Sequence, residues 1–193
     1  MDALKAYSLY HTKKTKDKLN SLRPTEPLLQ NILELYDKGY SKEKILAHFS
    51  ESQKKINTKV IKLIRDNDII FTHCHSTSVV KSLINAKKQG KKFEVYNTET
   101  RPKYQGRKTA EELSKAKIKV TMFVDSAFDT AISGNKDIKK SSKIFLGADA
   151  ILKNGDVVNK VGSRTIAILA NRSKIPVYVL ADSWKYTKKS QKL

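Results

Sequence analysis

The sequence predicts an α/β fold, a parallel β-sheet with flanking helices preceded by a small N-terminal helical region. Three observations predict it. Apolar side chains recur at helical spacing through residues 1–66, the period changes at Asp68, and from there short apolar runs alternate with helix-like stretches. Runs that are apolar on consecutive residues suit strands buried on both faces, as in a parallel sheet covered by its crossover helices.

In the first region, Leu4, Tyr7 and Tyr10 or His11 stand at helical spacing. Thr25 before Glu26-Pro27 predicts a cap with proline in the first turn. Leu28, Leu29, Ile32, Leu33, Leu35 and Tyr36 then form an apolar stripe that Gly39 should terminate. Ser41 opens a third segment carrying Ile45, Leu46, Phe49, Ile56, Val60, Leu63 and Ile64. These stripes read as core, with no chemistry of their own.

From residue 67 to 193 the strand candidates are Ile69–Thr72, Phe93–Tyr96, Ile118–Val124, Ile144–Leu146 and Val177–Leu180, with helices expected at about 77–88, 108–116, 126–132 and 164–172. Five parallel strands with crossovers make a Rossmann-like layer. The lysine-rich stretch around 136–143 reads as a loop or a charged helix end. A chain of 193 residues has room for one sizeable core with a helical appendage, so the expected division is 1–66 and 67–193.

Composition excludes several classes. A single cysteine rules out an internal disulfide framework and any multi-cysteine zinc ribbon, in keeping with a reducing cytoplasm. No apolar run approaches the roughly 20 residues that span a bilayer, and the N-terminus lacks a signal-peptide core, so no membrane association is expected. The net charge of +20 points first to nucleic acid. Yet 33 of the 39 basic residues are Lys, whereas bidentate reading of phosphates and bases favours Arg. Solvated helix lysines account for most of the charge, and nonspecific RNA contact is a minor expectation.

Ligands of open α/β sheets sit beyond the carboxyl ends of the strands. The residues that follow the runs are Cys74, Glu99 with Arg101, Asp125, Asp149 and Lys185. A lone cysteine is usually a small buried hydrophobe. Cys74, however, ends a strand just before a Ser76-Thr77-Ser78 helix start, where amide groups and the helix dipole favour thiolate and a proton-abstracting or nucleophilic role. His73 and His75 alternate with it along the chain and would face away from it, so no metal site is expected and the histidines read as packing or supporting groups. Asp149, in Gly147-Ala148-Asp149, could be desolvated into a general acid or base, or could simply be a turn or cap aspartate. Asn159-Lys160 and Gly162-Ser163 precede a helix, an arrangement that makes a backbone anion nest with added charge. Together with Ser76 this gives two anion sites, which suits a substrate with two phosphates or with a phosphate and another polar end.

The motifs Thr72-His73-Cys74-His75-Ser76, Thr98-Glu99-Thr100-Arg101-Pro102 with Gln105-Gly106, Gly147-Ala148-Asp149, Asn154-Gly155-Asp156, Asn159-Lys160-Val161-Gly162 and Ala181-Asp182-Ser183-Trp184-Lys185 occur in that order. Over about 66–187 the sequence thereby resembles the initiation factor 2B superfamily, which holds the α, β and δ subunits of translation initiation factor 2B, ribose-1,5-bisphosphate isomerase and methylthioribose-1-phosphate isomerase. The resemblance implies a helical N-terminal region before a Rossmann-like domain. It also implies an aldose–ketose isomerase that uses neither metal nor redox cofactor, because the cysteine and the aspartate that the isomerases use, and that the regulatory α subunit usually replaces, are both kept as Cys74 and Asp149.

Carried over residue by residue, Cys74 would move the carbon-bound proton and Asp149 would serve the oxygens. Ser76, Arg101, Asn159, Lys160 and Lys185 would hold phosphate and sugar oxygens. The Arg-Gly-Ala loop of the isomerases has no match in residues 1–66, and the chain stops eight residues after Lys185, where relatives continue. The alternative is therefore a regulatory or scaffold protein that binds phosphorylated sugars or nucleotides without catalysis. In either case the expected partners are a phosphorylated sugar or nucleotide and further subunits in a homo- or hetero-oligomer.

Overall fold

In the computed structural model, which describes residues 2–22 and 26–188, five strands form one parallel sheet. They are β1 (Asp68–Thr72), β2 (Phe93–Thr98), β3 (Lys119–Phe123), β4 (Lys143–Leu146) and, after a two-stranded hairpin of β5 (Ala150–Ile151) and β6 (Val157–Val158), β7 (Val177–Val179). Their order is β3-β2-β1-β4-β7, with every pairing parallel. The expected α/β, Rossmann-like architecture is what forms. Each predicted strand is present, within one or two residues at its ends.

The sheet belongs to a compact unit made of residues 53–147 and 160–181. Period-two alternation divides its core. Ile70, Val95 and Phe145 face one layer with Val60 and Ile64, Val79, Val80 and Leu83 of helix α5 (Thr77–Lys88), and Leu113 of α6 (Gln105–Lys115). Ile69, Phe71, Tyr96 and Ile144 face the other, with Ile132 of α7 (Phe128–Ser133) and Ile166 of α8 (Ser163–Arg172). Every residue of β1 is buried, as a central strand covered on both faces should be. Phe71 and Phe145 are fully buried, each contributing about 1.5–3 kcal/mol of transfer free energy.

The lysine-rich stretch is a loop through Ser142, but Lys143 departs from that expectation. It begins β4, is buried, and pairs with Asp68 at the start of β1.

The second unit comprises the described residues of 1–52, 148–159 and 182–193. It holds α1 (Asp2–Leu9), α2 (Lys13–Leu22), α3 (Pro27–Asp37), the first turns of α4 (Lys42–Leu63), the β5–β6 hairpin and a 3₁₀ turn at Ser183–Lys185. Leu4, Tyr7, Leu33 and Ile45 are its buried apolar residues nearest the N-terminus. Gly39 ends α3 as expected, at φ 84°, with its N–H on the Tyr36 carbonyl and the N–H of Tyr40 on that of Leu35. The Ser41 hydroxyl accepts the N–H of Lys44 and caps α4. The expected Thr25 cap lies outside the described residues. Asp37 collects three donors, Tyr7 Oη at 2.7 Å, His11 Nε2 at 2.8 Å and Lys16 Nζ at 2.5 Å. They hold its carboxyl well below the usual range, and burial with the same carboxylate pushes the Tyr7 phenol up to about 12.

Candidate functional site at the carboxyl ends of the strands

Beyond β1 the chain turns sharply. Cys74 has φ 65°, a left-handed conformation that side chains seldom adopt. Its backbone is held from the segment that follows β2, for its N–H donates to Thr100 Oγ1 at 2.9 Å and its carbonyl accepts the Thr109 hydroxyl at 2.9 Å. Ser76 caps α5, its Oγ accepting the N–H of Val79 at 3.5 Å. A Cβ on Gly147 would lie 2.7 Å from Cβ and Oγ of Ser76, so the glycine of Gly147-Ala148-Asp149 is what lets the end of β4 approach that cap.

The segment between β2 and α6 is built around Asp125. Its two carboxylate oxygens accept the N–H groups of Thr100, at 2.9 Å, and of Arg101, at 2.7 Å. Burial pushes this carboxyl up, but the hydrogen bonds it accepts, those of the two N–H groups foremost, hold the group below its ordinary value. Arg101 is exposed and reaches over the Tyr104 ring, which Arg107 also faces at 4.0 Å. Glu99, which follows β2, pairs with Arg107 at 3.3 Å. In Gln105-Gly106 the glycine is a packing requirement, because a Cβ there would fall 1.7 Å from the Thr98 carbonyl oxygen.

At the start of α8, Gly162 has φ 100° and Ser163 Oγ donates to the Lys160 carbonyl at 2.7 Å. His73, only 2% exposed, connects this turn to β1. Its Nε2 lies 2.9 Å from the Val161 carbonyl and its Nδ1 2.6 Å from Thr98 Oγ1. Burial pushes the imidazole pKa down, with Lys160 adding to the effect and Val161 and Asp125 opposing it. Among the described residues no group of three or more His, Cys, Asp or Glu side chains could hold a metal ion.

Asp149, Asn159 and Lys185 belong to the helical unit and form a group there. Asp149 directly precedes β5 and Asn159 directly follows β6. The antiparallel register, Ala150 opposite Val158, sets them across from each other at the open end of the hairpin. The Asp149 N–H donates to the Val158 carbonyl at 2.8 Å. Asn154-Gly155-Asp156 is the turn at the other end, tied by Asn154 Nδ2 to Asp156 Oδ2 at 2.7 Å. Lys185 Nζ donates to the carbonyl of Ala148, the residue before Asp149.

Cys74, Ser76, Arg101 and Lys160 thus stand in the sheet unit and Asp149, Asn159 and Lys185 in the other. Of the two threonines that fix the Cys74 backbone, Thr100 stands in the sequence only as a member of the Thr98–Pro102 motif, with no role assigned to it, and Thr109 carries no mark at all. Threonine hydroxyls that meet a backbone group across strands have neither a period nor a spacing.

Comparison with known proteins gives the same picture. The profile of the Initiation factor 2 subunit family matches residues 11–192. Ribose 1,5-bisphosphate isomerase of Methanocaldococcus jannaschii is 36% identical over 183 residues, which is 89% of this chain and 58% of that protein. Translation initiation factor eIF2B subunit alpha of Dictyostelium discoideum is 40% identical over 139 residues, 72% of this chain and 42% of that protein. The chain therefore spans less than two thirds of the length of the relatives it matches. The crystal structure of Pyrococcus horikoshii OT3 translation initiation factor eIF-2B superposes with a TM-score of 0.83 at 26% identity, covering 92% of this chain and 65% of that one. With its order of motifs, its sheet and this match over nearly its whole length, the chain belongs to the Initiation factor 2 subunit family.

Proposed function

We propose that this chain isomerises an aldose phosphate to a ketose phosphate, with ribose 1,5-bisphosphate as the substrate type and Cys74 and Asp149 as the groups that move protons. The observation that carries the reading is Cys74 itself. It is the sole thiol, held in a left-handed turn at the carboxyl end of the central strand and followed by the Ser76-capped start of α5. The similarity to proteins named ribose 1,5-bisphosphate isomerase supports the substrate class.

The reaction balances within the substrate. The bond between C1 and the ring oxygen breaks, the ring oxygen takes up a proton, the hydrogen on C2 is transferred to C1, and the C2 hydroxyl loses its proton to become the carbonyl, so C2 is oxidised as C1 is reduced and no external oxidant is needed. Cys74 would carry the carbon-bound proton and Asp149 the oxygen-bound one. Ser76, Arg101, Asn159, Lys160 and Lys185 would hold phosphate and sugar oxygens through N–H and cationic donors.

Phosphorus NMR of the chain incubated with ribose 1,5-bisphosphate tests this directly. Ribulose 1,5-bisphosphate should accumulate, and Cys74→Ser and Asp149→Asn should each lower turnover by on the order of 100-fold or more while calorimetric binding persists. No conversion at high protein concentration would overturn it. The second reading, a noncatalytic subunit that binds phosphorylated sugars or nucleotides, is favoured by the 40% identity to an eIF2B alpha subunit. Phosphosugar binding with no turnover would support it.

A further inference from the structure

We propose that Asp125 is a positioning residue for Cys74, acting through Thr100. Asp125 follows β3, the edge strand, whereas Cys74 follows β1, two strands away in the order β3-β2-β1. The space between is crossed by two hydrogen bonds. Asp125 Oδ1 accepts the Thr100 N–H at 2.9 Å, and Thr100 Oγ1 accepts the Cys74 N–H at 2.9 Å. Thr100 in turn donates its hydroxyl to the Thr98 carbonyl at 3.2 Å, which leaves its oxygen lone pairs directed at the Cys74 amide.

Both links of the chain hold an unfavourable backbone. Thr100 has φ 60° and Cys74 φ 65°, and neither is glycine, so each conformation persists because its surroundings impose it. An ionised carboxylate accepting two backbone N–H groups is a strong clamp, and the second of those groups belongs to Arg101, at 2.7 Å. One carboxylate therefore sets the backbone of both the thiol-bearing turn and the arginine expected to meet phosphate. The assignment rests on the isomerase reading for its consequence, but its geometry stands without it.

The test uses the fact that Cys74 is the only cysteine, so thiol alkylation by iodoacetamide reports on this turn alone. Asp125→Asn can accept only one of the two N–H groups, and Thr100→Val keeps the shape but removes the acceptor. In both variants, with native circular dichroism, alkylation of Cys74 should slow about tenfold, and Thr100→Ser should restore it to within about twofold. If ribose 1,5-bisphosphate is turned over, Thr100→Val should lower kcat with KM unchanged, whereas Asp125→Asn should also raise KM through Arg101. Folded Asp125→Asn and Thr100→Val proteins that alkylate at the wild-type rate would overturn the proposal whatever the activity. A wild-type chain without isomerase activity would overturn the functional reading while leaving the thiol measurement decisive. Should Asp125→Asn fail to fold, the pair Thr100→Val and Thr100→Ser carries the test.

Discussion

The imidazole of His73 places Nε2 2.9 Å from the carbonyl of Val161 and so ties the end of the central strand to the turn that carries Lys160. A carbonyl only accepts, so Nε2 holds the hydrogen, and in the neutral ring Nδ1 accepts from the Thr98 hydroxyl at 2.6 Å. Protonating the ring would reverse that second bond inside a buried site.

From this follows a dependence on pH. His73 has a folded pKa below its ordinary value of 6.5, with burial as the main cause, and His75 shifts the same way for the same reason. Near pH 6 the unfolded chain therefore binds more protons than the folded one, and stability rises with pH. Its contribution is complete above about pH 6.5 and is lost as the pH falls below that toward the folded value. Urea unfolding midpoints at pH 7.5 and 5.5 should show the loss, and His73→Asn should flatten it. An equal slope in the variant would remove His73 from the account.

Gly106 should tolerate no side chain. Its Cβ would meet the Thr98 carbonyl at 1.7 Å, and the obstacle is backbone at the end of a buried strand. Gly106→Ala should cost about 3 kcal/mol, the upper part of the range for overpacking, measured by equilibrium denaturation. A loss under about 0.5 kcal/mol would mean that α6 shifts freely on β2.

The buried pair of Lys143 and Asp68, with side chains 9% and 10% exposed, should behave asymmetrically. Lys143→Met leaves Asp68 charged and buried and should cost about 3–5 kcal/mol. The double variant Asp68→Leu with Lys143→Met should recover part of this, but not all, because Asp68 also accepts the Arg65 N–H at 2.6 Å. A double-mutant cycle in urea gives the coupling, and strictly additive losses would contradict it.

The two expected phosphate lysines should separate in their effects. Lys160→Ala and Lys185→Ala should each weaken binding of ribose 1,5-bisphosphate by about 1–3 kcal/mol, the range for a lost charge-assisted contact. Lys185 also holds the Ala148 carbonyl next to Asp149, so its loss should lower turnover as well, whereas Lys160→Ala should act on binding alone. Calorimetry with a kcat measurement resolves the two, and unchanged affinity in both variants would take these lysines out of the site.

The strands and the first helix after them were legible because burial leaves a record. Strands covered on both faces must be apolar on successive residues, and α5 runs over Thr77–Lys88, as its stripe and its Ser76 cap predict. Where burial left no such record the reading fell short. Helix α2 has no buried residue and so no apolar stripe. The hairpin of β5 and β6 has two residues per strand, too few to show alternation. Helix α6 starts at Gln105, three residues earlier than its stripe suggests, because its cap residue Tyr104 takes a left-handed conformation without a capping hydroxyl.

The sequence by itself determined the α/β class, the position of each sheet strand and the residues that could carry chemistry, since each depends on local periodicity or local chemical type. Only the tertiary structure decided which of those residues meet. The order β3-β2-β1 brings Asp125 to Thr100 and Thr100 to Cys74, and the hairpin register sets Asp149 across from Asn159. Hydrogen bonds from a side chain to a distant backbone group depend on strand order and turn geometry, and neither is written in the spacing of residues along the chain.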